Sequence, residues 1–492
     1  MTEIGSKLSA LRNVRIVGGE RDFLAEDELV DIHLEDGVIV DIAPTGNLTV
    51  KGESLDGEGS WVIPGLWDNH VHTVQWSLSA QRESLLGAGS AAAAIDIMRN
   101  APMLPDGKRV GTGFRDAGWA DKATLAALDA ATGEVPTYLI NADLHSVWLN
   151  SAALRKEGFY EIADDGVLRE EEAFEISRRL NAVDPSQSDA AVFEAARKAA
   201  ARGITGLVDF DMAWNKDAWI RRLAAGFDVH RVEYAVYPMH LDRAIAEGLR
   251  TGEELPGGLV QFGYFKVITD GSLGTRTAAC SHPYPDDNGN FGMLTVSNEE
   301  LVDMLMRATG AGIAAAVHTI GDHAGTSALD AIAQTGATGT IEHAQLMQQA
   351  DIVRMARMGL IASIQPQHAL DDRDLVAKYW SEQTAIAYPM ETMRRAGVQL
   401  RLGSDAPVAP LDPWTSIAAA VMRTDDEREP WQPQERLSVD DAIGASVRST
   451  INPGQRADIA MLAHNPRHAA AATLRAMPVH ATLLAGSVTH LA

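Results

Sequence analysis

Residues 65–72 read GLWDNHVH, and seven later segments share their character, apolar and rich in β-branched residues with polar residues mainly toward the end. They are GITGLVDF (203–210), RVEYAVYP (231–238), LVQFGYFKVITDG (259–271), GIAAAVHTIGD (312–322), GTIEHAQL (339–346), LIASIQPQH (360–368) and VQLRLGSDAPV (398–408). Each is followed by a helix-like Ala/Leu/Arg stretch, the alternation that a parallel α/β architecture requires. Eight such units suffice to close a (β/α)8 TIM barrel, which carries its chemistry at the C-terminal ends of its strands. The alternative, a doubly wound open sheet, normally places a Gly-rich phosphate loop after its first strand, and none follows GLWDNHVH.

Outward from this series, the first sixty residues read as short strands and turns: VRIVGG (14–19), LVDIHLEDGVIVDIAP (29–44) with a hairpin signal at Asp36-Gly37, and SWVIPG (60–65). The end of the chain returns to this character in ADIAML (457–462) and HATLLAGSVTHL (480–491), so the two ends are expected to pair in one sheet of a composite β-sandwich. The gap between the first two barrel segments is too long for a βα connection and predicts an inserted α/β subdomain. Within it, PTYLINADLHSVWLNSAAL (136–154) has strand-then-helix character suited to a lid over the barrel mouth. The expected division is 1–61 with 452–492 for the sandwich, 62–75 with 196–451 for the barrel, and 76–195 for the insert.

The chain has 492 residues, 46% of them hydrophobic, and a formal net charge of −25. Such a charge repels a phosphate backbone, and no basic stripe accompanies it, so nucleic acid is not expected as a partner. Cys280 is the only cysteine, which excludes an intramolecular disulfide and a thiolate metal cluster and suits a reducing compartment. No continuous apolar signal region or membrane-length run is present, giving the expectation of a cytoplasmic protein with no membrane partner. A small-molecule substrate is the expected partner, and a homodimer is an open possibility.

In GLWDNHVH the histidines His70 and His72 are two apart, so on a strand both imidazoles leave the same face and can chelate one ion. The competing reading is a pair of incidental polar residues. Lys266 sits inside an otherwise apolar strand, where an ammonium is costly unless paired or chemically changed. It is either a snorkelling or salt-bridged lysine, or a lysine carboxylated by CO2 whose carbamate oxygens bridge two cations. His318, His343 and Asp405 each end a predicted barrel strand, and each taken singly reads as a satisfied polar residue. Imidazoles, a carbamate and a carboxylate together suit Zn2+ with a position left open to water.

The order H-x-H, Lys, His, His, Asp on strands one, four, five, six and eight resembles the amidohydrolase superfamily. FKVITDGSLGTRTA, VHTIGDHA, IEHAQL, SIQPQH, LGSDAPV and NADLHSVWLNSAAL resemble its N-substituted formamide deformylase-like, or YtcJ-like, branch, and the likeness runs from IPGLWDNHVH to PGQRADIAML. The resemblance implies that His70 and His72 with Asp405 hold one zinc and that His318 and His343 hold the other. Carboxylated Lys266 would bridge the pair. It further implies Asp405 as the general base that takes a proton from metal-activated water and returns it to the leaving amine.

Asp143 and His145, in the insert, are implied substrate contacts, with Trp148 and Asn150 either substrate-facing or structural. The branch pattern there is Asp-Gly-His, and Leu144 stands in place of the Gly. Arg276 is read as an anion or carbonyl contact or an ion pair with a loop carboxylate, Asp322 and His323 as partners that orient imidazoles, and His368 as a rim contact. The implied activity is hydrolysis of an amide-type C–N bond, in an N-acyl or N-formyl amine or a cyclic amide. Deamination is the alternative within the superfamily. It typically goes with a Glu a few residues after the strand-five His, whereas His318 is followed by Thr-Ile-Gly-Asp-His. The alternative outside it is a non-catalytic small-molecule-binding barrel.

Overall fold

A computed structural model describes every residue except 1, 19–26, 80–81, 105, 160–164, 286 and 288. Eight parallel strands form one sheet: β1 (Leu66–Val71), β2 (Ile204–Asp209), β3 (Arg231–Val236), β4 (Val260–Ile268), β5 (Ala314–Thr319), β6 (Gly339–His343), β7 (Ile361–Ile364) and β8 (Gln399–Leu402). They run in sequence order, each paired in parallel with the next. The seam between β8 and β1 is closed just past the strand ends, where Val71 and Ala406 form a parallel bridge. Two backbone hydrogen bonds reinforce it, His72 N–H to the Ala406 carbonyl at 2.9 Å and Asp405 N–H to the His70 carbonyl at 2.8 Å. Gly403 permits this approach, since a Cβ there would lie 2.7 Å from the His70 nitrogen. The sheet is a TIM barrel.

Period two along the strands sorts the side chains. On β4, Tyr264 and Lys266 point into the lumen, and Phe265 and Val267 join the outer core between strands and helices. Trp67, Val208, Phe210, Ala235, Tyr264 and Ala316 fill the lumen as one apolar plug beneath the C-terminal rim. The helix Pro185–Ala200 buries Val192, Ala196, Ala199 and Ala200 in the outer core, so its packing belongs to the barrel wall.

Both ends of the chain meet in one sheet, in which Trp61–Pro64 pairs antiparallel with Ile459–Leu462. The sheet bends over its own core of Leu11, Val14, Ile32, Ile459 and Leu483 among others. Asp36 and Gly37 both have positive φ, 47° and 81°, the backbone of a two-residue hairpin turn, and they join Val30–Glu35 to Val38–Pro44. Of the stretch 14–19, residues 14–16 are strand and Gly19 lies outside the described residues.

The insert carries a five-stranded mixed sheet in the order Val167–Arg169, Ser146–Leu149, Thr137–Asn141, Arg109–Phe114, Glu83–Ser84, with an apolar cluster on each face. Among the described residues no helix is long and apolar enough to cross a membrane.

Candidate metal centre

The C-terminal rim of the barrel gathers His70, His72, Lys266, His318, His343 and Asp405 around one cavity of ≈260 Å³. Both strand-one imidazoles converge on the same carboxylate, His70 Nε2 at 3.4 Å and His72 Nε2 at 3.2 Å from Asp405 Oδ1. The His343 ring centre lies 4.9 Å from that of His70 and 4.5 Å from that of His318. His70, His343 and Asp405 present one ligand atom each within 4.8 Å of one another, a grouping that crosses the two expected subsets.

Lys266 Nζ is buried over the Phe210 ring at 4.5 Å with no hydrogen-bond partner among the described residues. His318 Nε2, His72 Nδ1 and Asp405 Oδ1 are likewise buried and unpartnered. Leaving such atoms unsatisfied costs about 1–3 kcal/mol each, more for charged groups. Three of these atoms, His72 Nδ1, His318 Nε2 and Asp405 Oδ1, carry lone pairs that fit a divalent cation, and the Lys266 amine would join them only once carboxylated.

Burial, then the Lys266 ammonium, hold His70 and His318 well below the ordinary histidine pKa. Burial and the neighbouring His318 and Lys266 do the same to His343. Neutral imidazole is the form that binds metal. Burial also pushes the Lys266 amine down to about 8, against the pull of Glu342 and Asp405.

Two of the imidazoles are tethered through Nδ1 by residues of the barrel. His70 Nδ1 lies 2.6 Å from Glu342 Oε2, and His343 Nδ1 lies 2.8 Å from Gln365 Oε1. Asp68 accepts from the Ser404 and His70 backbone N–H groups, and burial raises its carboxyl to about 6. Asp270 accepts from the N–H groups of Ala279, Ile320 and Gly321 and lies 3.5 Å from His318 Nε2. Burial, opposed by these backbone bonds, raises it to about 7. Sequence reasoning missed Glu342, Gln365 and Asp270. For Glu342 the signal was available: it is a charged residue inside an apolar strand, the same anomaly that singled out Lys266.

The insert covers the cavity. Asp143 and His145 both line it, and the His145 ring centre is 6.4 Å from that of His318. His145 Nδ1 lies 2.9 Å from Glu170 Oε2, while Glu170 Oε1 accepts from the Thr277 and Thr275 hydroxyls on the loop after β4. Burial alone works against a charged His145 ring, but the bond and charge of Glu170 hold its pKa above the ordinary value. Ser272 Oγ donates to Asp143 Oδ2 at 3.1 Å. Leu144 takes the left-handed φ of 64° that the glycine of the pattern would adopt freely, so the turn persists without it.

The remaining expected contacts divide. His368 lines the cavity and stacks on His343 with ring centres 6.3 Å apart. Arg276 does not line it: its side chain is 43% exposed and pairs with Asp287 at 3.3 Å, the loop ion pair that was its competing reading. Asp322 is buried but accepts from the Ser281 backbone N–H and from Gln348 Nε2, fastening a loop to a helix start. His323 is exposed and is not among the described residues that line the cavity. Asn150 caps the helix Ser151–Glu157 and Trp148 is buried in the insert core, so both are structural. Arg115, unremarked in the sequence, reaches the cavity from the insert and pairs with Asp371 at 2.8 Å.

A TIM barrel with buried histidines, a lysine and an aspartate at its rim defines the class of metal-dependent hydrolases. The chain belongs to the amidohydrolase family, whose model matches residues 53–490. It is 26% identical to the putative amidohydrolase YtcJ of Bacillus subtilis (strain 168) over 94% of this chain and 96% of that protein. It is 25% identical to the N-substituted formamide deformylase of Arthrobacter pascens over 90% of each. Among solved structures, an uncharacterized metal-dependent hydrolase from Pyrococcus horikoshii superposes with a TM-score of 0.77 at 23% identity, covering 94% of this chain and 99% of that one.

Proposed function

We propose that this amidohydrolase cleaves an amide-type C–N bond, in an N-formyl or N-acyl amine or a cyclic amide, using two zinc ions. His70, His72 and Asp405 would hold one ion, His318 and His343 would hold the other, and Lys266, once carboxylated, would bridge them. The observation that supports this reading is the buried Lys266 Nζ, without a hydrogen-bond partner among the described residues, beside neutral imidazoles and an Asp405 oxygen that accepts no hydrogen bond among them. Zinc bound there supplies Lewis acidity and makes water a nucleophile near neutral pH. Likeness to a protein named for deformylation of N-substituted formamides supports the choice of bond.

The chain's own residues then do the following. Asp405 takes the proton of the attacking water and delivers it to the leaving nitrogen as the C–N bond breaks. Glu342 and Gln365 fix the rings of His70 and His343 through their Nδ1 atoms. Asp143 and His145 contact the substrate from above, and His368 contacts it from the rim. Leu273, Phe174 and Met212 give the cavity an apolar wall that holds the acyl part and excludes bulk water.

The test is a screen of N-formyl, N-acyl and cyclic amides with zinc-loaded protein beside a chelator-treated control. Release of amine by the loaded protein alone is expected. Turnover confined to exocyclic amines of heterocycles, with ammonia as product, would replace the reading by deamination.

A further inference from the structure

At the opposite end of the barrel a second cavity of ≈360 Å³ opens among the N-terminal parts of β1, β3, β4 and β8. Trp67, Glu233, Gln261, Arg401, Arg448 and Arg456 line it. The lumen plug of Trp67, Phe210 and Tyr264 separates it from the histidine cluster. A molecule bound here would therefore enter from the barrel floor.

The walls carry a charge excess unusual for so acidic a chain. Arg231 also lines the cavity, but Asp458 neutralises it at 2.6 Å. Three guanidiniums remain, of Arg401, Arg448 and Arg456, against the carboxylates of Glu233 and Glu254. Arg448 lies over the Trp67 ring at 4.5 Å, donates to Asn69 Oδ1 through Nη2 at 2.7 Å, and donates to Glu233 Oε1 through Nη1 at 3.1 Å. Gln261 Nε2 donates to the same Glu233 oxygen at 3.0 Å. Arg401 Nη1 donates to the Tyr264 hydroxyl at 2.8 Å.

Two atoms are left over. Arg401 Nε, a charged donor, and Glu233 Oε2, a charged acceptor, are both buried without a partner among the described residues. Each such orphan carries a desolvation penalty. A ligand that relieves both must accept from Arg401 and donate to Glu233, and it must bring negative charge to offset the guanidiniums. Water meets the first two requirements and fails the third. Sulfate supplies the charge but has no proton to donate. An oxyanion that keeps a proton at neutral pH meets all three.

We infer that this cavity binds a protonated oxyanion of the hydrogen phosphate type, as inorganic phosphate or the monoanionic head of a phosphate monoester, which it must select in its protonated form. Its oxygens accept from Arg401 Nε and face Arg448 and Arg456, and its P–OH donates to Glu233 Oε2. A neighbouring strand residue links the site to the metal centre: Asn69, bound by Arg448, precedes His70 and donates through Nδ2 to the Leu402 carbonyl on β8.

Isothermal titration of the metal-loaded protein with phosphate, sulfate and glycerol phosphate tests this. Phosphate should bind saturably and at least tenfold more tightly than sulfate, because an unmatched buried acceptor rejects the unprotonated ion. Arg401→Met should weaken phosphate at least tenfold. Glu233→Gln, which removes the acceptor charge and supplies an amide donor, should strengthen sulfate and erase the discrimination, so a folding failure of one variant leaves the other decisive. Tight glycerol phosphate binding would identify a monoester site, and its exclusion with phosphate retained would identify a site for the inorganic ion. Absence of phosphate binding, equal affinity for phosphate and sulfate in the unaltered protein, phosphate affinity unchanged in Arg401→Met, or discrimination retained in Glu233→Gln, would overturn the inference.

Discussion

Glu342 Oε2 stands 2.6 Å from His70 Nδ1, across the barrel lumen between β6 and β1, with both side chains buried. A carboxylate in this position fixes the tautomer, leaving the Nε2 lone pair facing the cavity beside Asp405 Oδ1, and makes the ring more basic toward a metal. Glu342→Gln keeps the shape and loses the charge. It should weaken metal binding about 10–100-fold, read as zinc retained after dialysis against a graded chelator, with little change in melting temperature. Undiminished zinc affinity would remove Glu342 from the account.

The lid makes a separate prediction. His145 and its partner Glu170 belong to the insert, and the ring faces the cavity beside His318. His145→Ala and Glu170→Gln should each lower kcat/KM and shift the order of preference among amide substrates, while zinc content stays at the unaltered level. Parallel loss of zinc and activity would instead make His145 part of the metal shell.

Leu144 offers a local test of backbone strain. A non-glycine residue in the left-handed region costs roughly 1–2 kcal/mol, and a glycine there forfeits roughly 0.5–1 kcal/mol of that gain through unfolded-state entropy. The Leu144 side chain also packs against the apolar core of the insert, so Leu144→Gly, which relieves the backbone and gives up that contact, should leave thermal stability within about 1 kcal/mol of the unaltered protein. Leu144→Val, β-branched at a φ of 64°, should lower it by about 1–2 kcal/mol. Equal melting temperatures for all three proteins would show that the turn relaxes.

His230 is buried just before β3 with both ring nitrogens unpartnered among the described residues, and burial pushes its pKa from 6.5 down to about 3. Its folded value lies below the unfolded one, so between them the unfolded chain binds the extra proton and stability falls as pH drops. The contribution changes by about 1.4 kcal/mol per pH unit. Buried carboxylates such as Asp270, raised to about 7, act in the opposite sense, so the comparison must be with His230→Leu. The stability difference between the two proteins by urea unfolding should shift in favour of the variant from pH 7 to pH 5. A difference independent of pH would contradict the burial of a neutral ring.

Much of this architecture was legible because strand period and chemistry agree. The eight segments carried their polar residues mainly at the C-terminal ends, and parallel pairing brought those ends to one rim. His70, His72, Lys266, His318, His343 and Asp405 share the cavity for that reason. What stayed hidden depends on contacts between distant segments. Nothing local to Glu170 shows that it will meet His145, since the partnership arises when Val167–Arg169 pairs with Ser146–Leu149. Arg276 misled in the opposite way: a guanidinium after a Gly-Ser turn has the same local sequence whether it faces a ligand or Asp287, and the loop turns it outward. Arg401 and Arg448 lie 47 residues apart and only barrel closure brings them to one floor.

The central claim is that Lys266 carries a carbamate bridging two metal ions, and the most direct measurement is 13C NMR of zinc-loaded protein prepared in 13C-labelled bicarbonate. A carbamate carbon signal should appear in the unaltered protein at two zinc ions per chain. In Lys266→Ala it should be absent, with zinc reduced to one or fewer and activity regained in part when a short carboxylate such as formate is added. A fully metallated, active protein that gives no carbamate signal would contradict the claim.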